Sequence, residues 1–358
     1  MLRVLFVALA MLLSPAALAQ DDPYAPGKEI IAGLNHIVTP NGVQETFEVT
    51  LGGARQVVNV LGADRNNPIL LFIHGGPGAV EMPIAWSFQR PWEDYFTVVQ
   101  WDQRGAGRSW PLNDPTTLAP TLRPERYRDD AIELIEQLRT RYGKRKIFVV
   151  GHSWGSAVGL MVAEKRPDLL YAYIGMGQMI DARANERLGF AWTLGQARND
   201  PDKAGLSELE AIRPYPGTGT LDVAKMSVER KWSIHYGALA AHHDAADYYF
   251  HLPRLSPEYT PADRKSWDEG SEFTIRTMWP LLADLDFKPI TRLKVPVILF
   301  LGRHDYTTPW PVAEAWMKRL SAPRKRIVWL ENSAHLMMIE EPGRVFIGLI
   351  QEALPLAK

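Results

Sequence analysis

Short runs of continuously apolar residues recur along the chain, and segments with helical spacing separate them. Runs of this length are typical of strands that are buried on both faces of a sheet. The apolar runs predict strands at residues 57–62, 69–73, 96–101, 146–150, 170–176, 295–301 and 326–330. Helices are predicted between them at 127–141, 156–165 and 312–320. Strands that alternate with helices form a mainly parallel sheet with helices on both faces.

The alternation stops in the middle of the chain. Residues 182–287 are rich in Trp, Tyr, His and Pro and contain no strand-like run, while 206–212 and 223–243 have helical spacing. We therefore predict an inserted helical cap at 182–287, with the two parts of the α/β core at 20–181 and 288–358.

The N-terminal residues have the pattern of a secretory signal peptide. A short basic start precedes an apolar run at 4–13 that is too short to cross a bilayer, and Ala17-Leu18-Ala19 has the small-x-small cleavage pattern. The sequence predicts cleavage after Ala19 and export to the periplasm or the medium. No later stretch is long and apolar enough to span a membrane, so we expect no membrane association after cleavage.

Composition excludes several classes of function. The chain has 358 residues, of which 46% are apolar and 23% are charged, and its formal net charge is -1. This balance does not indicate a nucleic-acid partner. There are no cysteines, so disulfides, thiol catalysis and cysteine-based metal sites are excluded. We expect a small-molecule or short-peptide substrate, and neither a metal nor a cofactor.

The candidate nucleophile is Ser153. Residues 151–155 read GHSWG, which is the G-x-S-x-G pattern placed directly after a predicted strand and directly before a predicted helix. In that setting the serine occupies a strained turn at the end of the strand, and the small neighbours let backbone pass close by. The N-terminus of the following helix favours the negative charge that develops during attack.

A serine hydroxyl needs a base, because it is a weak nucleophile at neutral pH. Asp305 follows the predicted strand 295–301 and His335 follows the strand 326–330, so both fall at the same sheet edge as Ser153. We predict that His335 is the base and that Asp305 orients it. The sequence leaves alternatives open: His304 for the base, and Asp181 or Glu331 for the acid.

The turn at residues 74–78, HGGPG, follows another strand at that edge. Its glycines allow backbone N–H groups to approach a substrate oxygen. We predict that the N–H groups of Gly76 and Trp154 form an oxyanion hole.

Together, HGGPG at 74–78, WDQRGAGRS at 101–109 and SWGS at 153–156 resemble the proline iminopeptidase family of α/β hydrolases. The resemblance implies the α/β-hydrolase fold with a helical cap, and an acyl-enzyme route without metal or cofactor that releases N-terminal residues from small peptides. Carried over to this chain, it implies the same triad of Ser153, Asp305 and His335, with Gly76 and Trp154 as oxyanion donors.

The cap departs from the family pattern. The resemblance implies a glutamate that holds the substrate amine in a segment similar to residues 232–237, WSIHYG, but Tyr236 stands at its position. A phenol is uncharged near neutral pH. We predict Tyr236 and Trp232 as substrate-binding residues, and other cap carboxylates are open as amine partners: Glu186, Glu208, Glu229 and Glu272.

The same machinery also fits an esterase or lactonase that acts on small acyl compounds. The HGGP turn is shared with epoxide hydrolases, but those enzymes need an aspartate nucleophile where Ser153 stands. A non-catalytic binding protein is disfavoured, because nucleophile, acid, base and oxyanion turn occur in the expected order.

Overall fold

The computed structural model describes residues 22–242 and 246–357. The predicted signal peptide and His243, the last residue of a predicted cap helix, lie outside these ranges. Within them, one sheet is formed by β1 (Val43–Leu51), β2 (Ala54–Gly62), β3 (Ile69–Ile73), β4 (Thr97–Asp102), β5 (Ile147–His152), β6 (Leu170–Met176), β7 (Val297–Gly302) and β8 (Lys325–Leu330).

The strand order is β1-β2-β4-β3-β5-β6-β7-β8. From β4 to β8 every pair is parallel, whereas β1 pairs with β2, and β2 with β4, in antiparallel register. The predicted mainly parallel sheet is therefore confirmed. Strand β1 was not predicted, because it alternates buried and exposed positions at one edge of the sheet and carries polar residues between the apolar ones.

Both faces of the central strands are buried. In β3, Leu71 packs in the core that includes residues of the helices before and after β5, while its neighbour Leu70 packs in a second core on the opposite face. The same division separates Leu299 from Ile298 in β7. Successive side chains of a strand point to opposite faces, so covering both faces requires apolar residues at every position.

The helices that flank and cap the sheet are α1 (Ala25–Asn35), α2 (Pro115–Leu118), α3 (Pro124–Tyr142), α4 (Trp154–Lys165), α5 (Ala182–Asn199), α6 (Ala204–Ala211), α7 (Val223–His235), α8 (Asp247–His251), α9 (Pro261–Met278), α10 (Trp310–Arg319), α11 (Met337–Glu340) and α12 (Pro342–Gly348). In the described part of the chain none is long and apolar enough to cross a membrane.

The prediction of one helix over 223–243 was wrong, since α7 ends at His235. Gly237 takes a left-handed conformation with φ 91°. Two residues later, the carbonyl of Leu239 accepts hydrogen bonds from the backbone of His335 and Leu336, at 3.1 Å each. The helix does not continue past Gly237, because this left-handed residue lets the N–H of Ala238 donate back to the carbonyl of Ser233 at 2.8 Å. The segment that follows is bonded to the loop of His335.

Between β6 and β7 the described residues form helices and turns but no strand, as expected for the inserted helical cap. The chain enters and leaves this region side by side: Ala182 donates to the carbonyl of Leu285 at 3.0 Å, and Phe287 donates to that of Ile180 at 2.7 Å. The cap is thus joined to the core by two neighbouring chain segments, which are hydrogen-bonded to each other.

The loop after β4 holds buried charges. Arg104 is fully buried and donates to both carboxylate oxygens of Asp130 in α3, and to the carbonyl of Leu51 at the end of β1. A buried guanidinium is tolerated only when its donors are satisfied in this way. The arginine therefore joins the edge strands, α3 and the loop after β4.

Asp102, the last residue of β4, is also buried. Its carboxyl accepts hydrogen bonds from the hydroxyl of Tyr259, just before α9, and from the backbone N–H of Arg108 at 2.8 Å. Burial raises the pKa of Asp102 to about 7, against the opposing effect of those hydrogen bonds.

This pKa predicts a pH-dependent stability. The folded protein retains a proton on Asp102 that the unfolded chain releases above about pH 4, so stability is lost as the pH rises through 7. Between pH 5 and pH 8, the free energy of unfolding in urea should fall by about 2 to 3 kcal/mol more in the wild type than in Asp102→Asn. Equal losses in the two proteins would contradict the assignment.

Candidate active site

Ser153 lies in the one-residue turn between β5 and α4, with φ 54° and ψ -120°. Such a conformation is strained for a residue with a side chain. A Cβ on Gly155 would come within 1.9 Å of the carbonyl oxygen of Ile73, and one on Gly151 within 2.2 Å of the carbonyl oxygen of Gly155. The motif glycines are therefore required by backbone packing, which holds the serine at the edge of the sheet.

The turn after β3 packs directly against the serine. A Cβ on Gly75 would lie 3.0 Å from the Cβ of Ser153. Gly76 has φ 110°, and a Cβ there would meet the backbone nitrogens of Gly78 and Ala79 at 2.4 Å. The structure thus brings the predicted oxyanion residue Gly76 beside the turn that holds Ser153.

Buried His74 fixes this turn. Its Nε2 accepts a hydrogen bond from the backbone of Gln103 at 3.1 Å, so the proton is on Nδ1, which donates to the carbonyl of Gly75 at 2.9 Å. Burial lowers the pKa of His74 to about 4, which keeps the ring neutral. The predicted motif histidine therefore shapes the backbone of the turn.

Gln103 was not predicted as a site residue. Its amide donates to the carbonyl of His74 at 3.0 Å and accepts from the indole of Trp154 at 3.2 Å. It thereby connects the segments that carry the two predicted oxyanion donors. The backbone N–H of Trp154 is in the first turn of α4, where N–H groups lack partners within the helix. The sequence showed the family motif around residue 103, but it did not show that Gln103 forms these hydrogen bonds.

Asp305 and His335 are brought together after β7 and β8. Nδ1 of His335 and Oδ2 of Asp305 are 2.8 Å apart, and both residues are almost completely buried. Thr308 donates to the carboxylate through its backbone, at 2.8 Å, and through its hydroxyl, at 3.0 Å. A carboxylate at Nδ1 places the ring proton there and leaves Nε2 as the basic nitrogen.

The three predicted triad residues share one edge of the sheet. A Cβ on Gly177, just after β6, would lie 2.9 Å from Cε1 of His335. The ring of His335 packs on that of His152, the residue before Ser153, with centroids 4.7 Å apart. Among the described residues no hydrogen bond joins Ser153 to His335, and in unliganded enzymes such bonds are often long.

The alternative triad residues have other partners. Asp181 caps the first turn of α5 through Ala184 and pairs with Lys288. Glu331 pairs with Arg303 at the surface. The ring of His304 packs on that of His242, 4.7 Å away.

Trp232 and Tyr236, predicted as substrate-binding residues, contact the cap itself. The indole of Trp232 donates to Glu208 in α6 at 2.9 Å, and the hydroxyl of Tyr236 donates to Asp200 at 2.9 Å. Both rings lie against Gly205 at the start of α6. In the part of the chain that the structure describes, no hydrogen bond or ring contact joins either side chain to the triad.

Two cap carboxylates are buried, those of Glu186 in α5 and Glu229 in α7. Arg230 pairs with both, and the hydroxyl of Thr193 donates to Glu229 at 2.9 Å. Burial raises the pKa of Glu229, although Arg230 opposes the shift. We term Glu186 and Glu229 the cap carboxylate pair. Together with the guanidinium of Arg230, the two carboxylates have a formal charge of -1.

The cap carboxylate pair lies near the loop that carries Asp305. A Cβ on Gly189 would be 2.8 Å from the carbonyl oxygen of Tyr306 and 3.9 Å from Oε1 of Glu229. One helical turn on, the ring of Trp192 stacks on that of Tyr306 with centroids 4.5 Å apart. By contrast, Glu208 is only half-buried and pairs with a lysine, and Glu272 is exposed and pairs with an arginine.

The described residues contain no group of three or more metal-ligating side chains that could hold an ion. The polar groups gathered at the sheet edge are instead a hydroxyl, an imidazole and a carboxylate, with backbone N–H groups beside them. Such an arrangement suits proton transfer and nucleophilic attack at a carbonyl carbon.

The chain is similar to known proteins over most of its length. The model of the alpha/beta hydrolase fold matches residues 68–342. The probable aminopeptidase YbaC of Bacillus subtilis (strain 168) is 29% identical over 299 residues, which cover 83% of this chain and 92% of that protein. The proline iminopeptidase of Neisseria gonorrhoeae is 27% identical over 306 residues, covering 80% and 88%.

Among solved structures, the proline iminopeptidase-related protein of Thermus thermophilus superposes with a TM-score of 0.60 at 24% identity, covering 88% of this chain and 98% of that one. The resemblance to proline iminopeptidases that the motifs indicate is thus confirmed. The chain belongs to the α/β-hydrolase fold family, and it is similar along most of its length to proteins named aminopeptidase and proline iminopeptidase.

Proposed function

We propose that this protein is a serine hydrolase that attacks a carbonyl carbon with Ser153 and proceeds through an acyl-enzyme. One observation carries the proposal. The 2.8 Å bond between Asp305 and His335 lies at the sheet edge where Ser153 is held in a strained turn beside the glycine turn of Gly76. The family similarity supports the same reaction class.

In the first half of the reaction, Nε2 of His335 takes the proton of Ser153 while the serine oxygen bonds to the carbonyl carbon. Asp305 stabilises the imidazolium that forms. The backbone N–H groups of Gly76 and Trp154 hold the oxyanion of the tetrahedral intermediate. His335 then gives its proton to the leaving group, which departs and leaves the acyl-enzyme.

In the second half, water repeats these steps. His335 takes a proton from the water as its oxygen attacks the acyl carbon, and the same N–H groups hold the second oxyanion. When the intermediate collapses, the proton passes from His335 back to Ser153 and the acid product is released. No further reactant is required.

We propose that the substrates are small peptides with a free N-terminus, from which the enzyme releases the first residue. The names of the similar proteins support this class. The cap carboxylate pair adds a physical argument, because its net negative charge lies near the loop of Asp305. A buried ammonium group is held best by carboxylates in such an environment. The carboxylates of Glu186 and Glu229 would take the role for which Tyr236 is unsuited.

Hydrolysis of small esters or lactones is the second candidate, and the cap favours it in one respect. Tyr236 is uncharged, since burial and the hydrogen bond to Asp200 raise its pKa to about 12. Arg230 already compensates one of the two buried carboxylates. An ester substrate needs no amine partner in the cap.

We further propose that the enzyme acts outside the cytoplasm as an exported protein. The proposal rests on the signal-peptide pattern of residues 1–19 alone.

The role of Ser153 predicts selective labelling. A fluorophosphonate probe should form a covalent adduct with the wild type and with Ser87→Ala, a matched change of a serine outside the site. Labelling should be lost in Ser153→Ala, because the nucleophile is removed, and intact-mass spectrometry measures both results. An adduct that persists in Ser153→Ala would exclude this residue as the nucleophile.

The substrate class predicts a selective change in KM. The wild type should cleave prolyl- or alanyl-p-nitroanilide in preference to p-nitrophenyl esters. Glu229→Gln should raise KM for the anilides by about tenfold, because a charged partner of the ammonium is lost, and leave KM for the esters unchanged. Glu208→Gln serves as a control, since that carboxylate is only half-buried and is paired with Lys231.

A wild type that cleaves esters and not anilides would favour the second candidate. If Glu229→Gln impaired both substrates equally, Glu229 would have a structural role only.

A further inference from the structure

Two buried titratable residues beside the triad have no part in the reaction described above. His152 is the residue before Ser153, and Glu81 lies just after the glycine turn that follows β3. Both are almost completely buried, and Nδ1 of His152 is hydrogen-bonded to Oε1 of Glu81. Among the described residues Oε2 of Glu81 has no hydrogen-bond partner, so His152 is the group that compensates this buried carboxylate.

The contacts of His152 determine its protonation. Nε2 of the ring is 3.0 Å from the backbone carbonyl oxygen of His335, and Nδ1 meets the carboxylate of Glu81. A carbonyl oxygen and an ionised carboxylate only accept hydrogen bonds. With Glu81 ionised, both ring nitrogens carry hydrogen and His152 is an imidazolium. Burial alone would lower the pKa of His152, but the charge and hydrogen bond of Glu81 outweigh burial and raise it.

This imidazolium is in direct contact with the base. The rings of His152 and His335 have centroids 4.7 Å apart, with an angle of 38° between their planes. His152 thus covers a face of the His335 ring and also holds the backbone carbonyl of that residue. Asp305 holds Nδ1 from another side. These contacts direct Nε2 of His335 without occupying it.

The contact has an electrostatic consequence. His335 gains a proton during each half of the reaction, and a second imidazolium against its ring would oppose that step. Glu81 offsets the repulsion between the two imidazolium rings, because its carboxylate is hydrogen-bonded to His152 and neutralises the charge of that ring. The other titratable groups that act on the pair come from several elements: His74, Tyr249 and Asp305.

We propose that Glu81 and His152 are positioning residues for His335. His152 fixes the base through its ring face and its backbone carbonyl, while Glu81 keeps His152 protonated and balances its charge as His335 is protonated. The inference rests on the proposed serine hydrolase function and extends it. It assigns a role to the variable position of the G-x-S-x-G motif in this chain.

The kinetic test uses the fluorophosphonate probe, which needs no knowledge of the substrate. Glu81→Gln keeps the size of the side chain and removes its charge. It should lower the maximal labelling rate of Ser153 about tenfold at pH 7 and leave the probe concentration for half-maximal rate unchanged. Glu93→Gln is the matched control, because Glu93 is equally buried and one of its oxygens also has no hydrogen-bond partner among the described residues. In Glu93→Gln, the probe should label Ser153 at the wild-type rate.

A folded Glu81→Gln protein with the wild-type rate would overturn the proposal. So would an equal loss in Glu93→Gln, or a loss that appears only in the half-saturating concentration, because either would indicate a general structural effect. Thermal unfolding of each variant establishes that it is folded.

A second pair of variants tests the hydrogen bond to the base. His152→Gln retains an N–H donor for the carbonyl of His335, whereas His152→Leu does not. The glutamine variant should retain about tenfold more of the labelling rate than the leucine variant. Equal rates in the two folded proteins would exclude positioning through this bond.

The protonation of His152 can be measured independently. In protein labelled with ¹⁵N-histidine, the ring nitrogens of His152, assigned by their absence in His152→Gln, should have imidazolium shifts at pH 7. In Glu81→Gln they should have neutral shifts. A neutral His152 in the wild type would overturn the proposal. This measurement does not require Ser153 to react, so a wild type that resists the probe would refute the proposed function alone.

Discussion

Backbone packing beside Ser153 is the constraint on which the site depends. The start of α4 approaches β3 so closely that a Cβ on Gly155 would lie 1.9 Å from the carbonyl oxygen of Ile73. Ser153 is consequently forced into a conformation that costs on the order of 1–3 kcal/mol for a residue with a side chain. The same approach places the turn of Gly75 and Gly76 against the serine. The positions of Ser153 and of the glycine turn are thus consequences of one steric arrangement.

The loop after β4 braces that arrangement with buried polar groups. Asp102 reaches α9 through Tyr259, Gln103 connects His74 with Trp154, and Arg104 pairs with Asp130. Each group is expensive to bury alone, and each is matched by partners that the surrounding elements supply. The consecutive polar residues of the family motif therefore act as structural supports for the edge of the sheet where the reaction is proposed.

The cap supports the loops that carry His335 and Asp305. The carbonyl of Leu239 accepts from the backbone of both His335 and Leu336, and the hydroxyl of Thr307 donates to the carbonyl of Ala238. Glu340 accepts from the backbone of Ala241. Displacement of this cap segment would therefore disturb the position of His335 directly.

By itself the sequence determined the elements whose signals are local. Continuous apolar runs predicted β3 and β6 to the residue, because strands buried on both faces need apolar residues throughout. The G-x-S-x-G pattern predicted the turn between β5 and α4 that holds Ser153, because only glycine fits at the flanking positions. Asp305 and His335 each follow a strand, so the sequence placed them at the same sheet edge as Ser153, where the carboxyl ends of the parallel strands meet.

Tertiary structure decided what no local spacing can encode. The bond between Glu81 and His152 joins residues 71 positions apart, and the segment after α7 is bonded through the carbonyl of Leu239 to the backbone of His335 and Leu336. Burial distinguishes Glu186 and Glu229 from Glu208, which is half-buried, and from Glu272, which is exposed. These features depend on which distant segments meet and on how little water remains between them, so the packed chain alone specifies them.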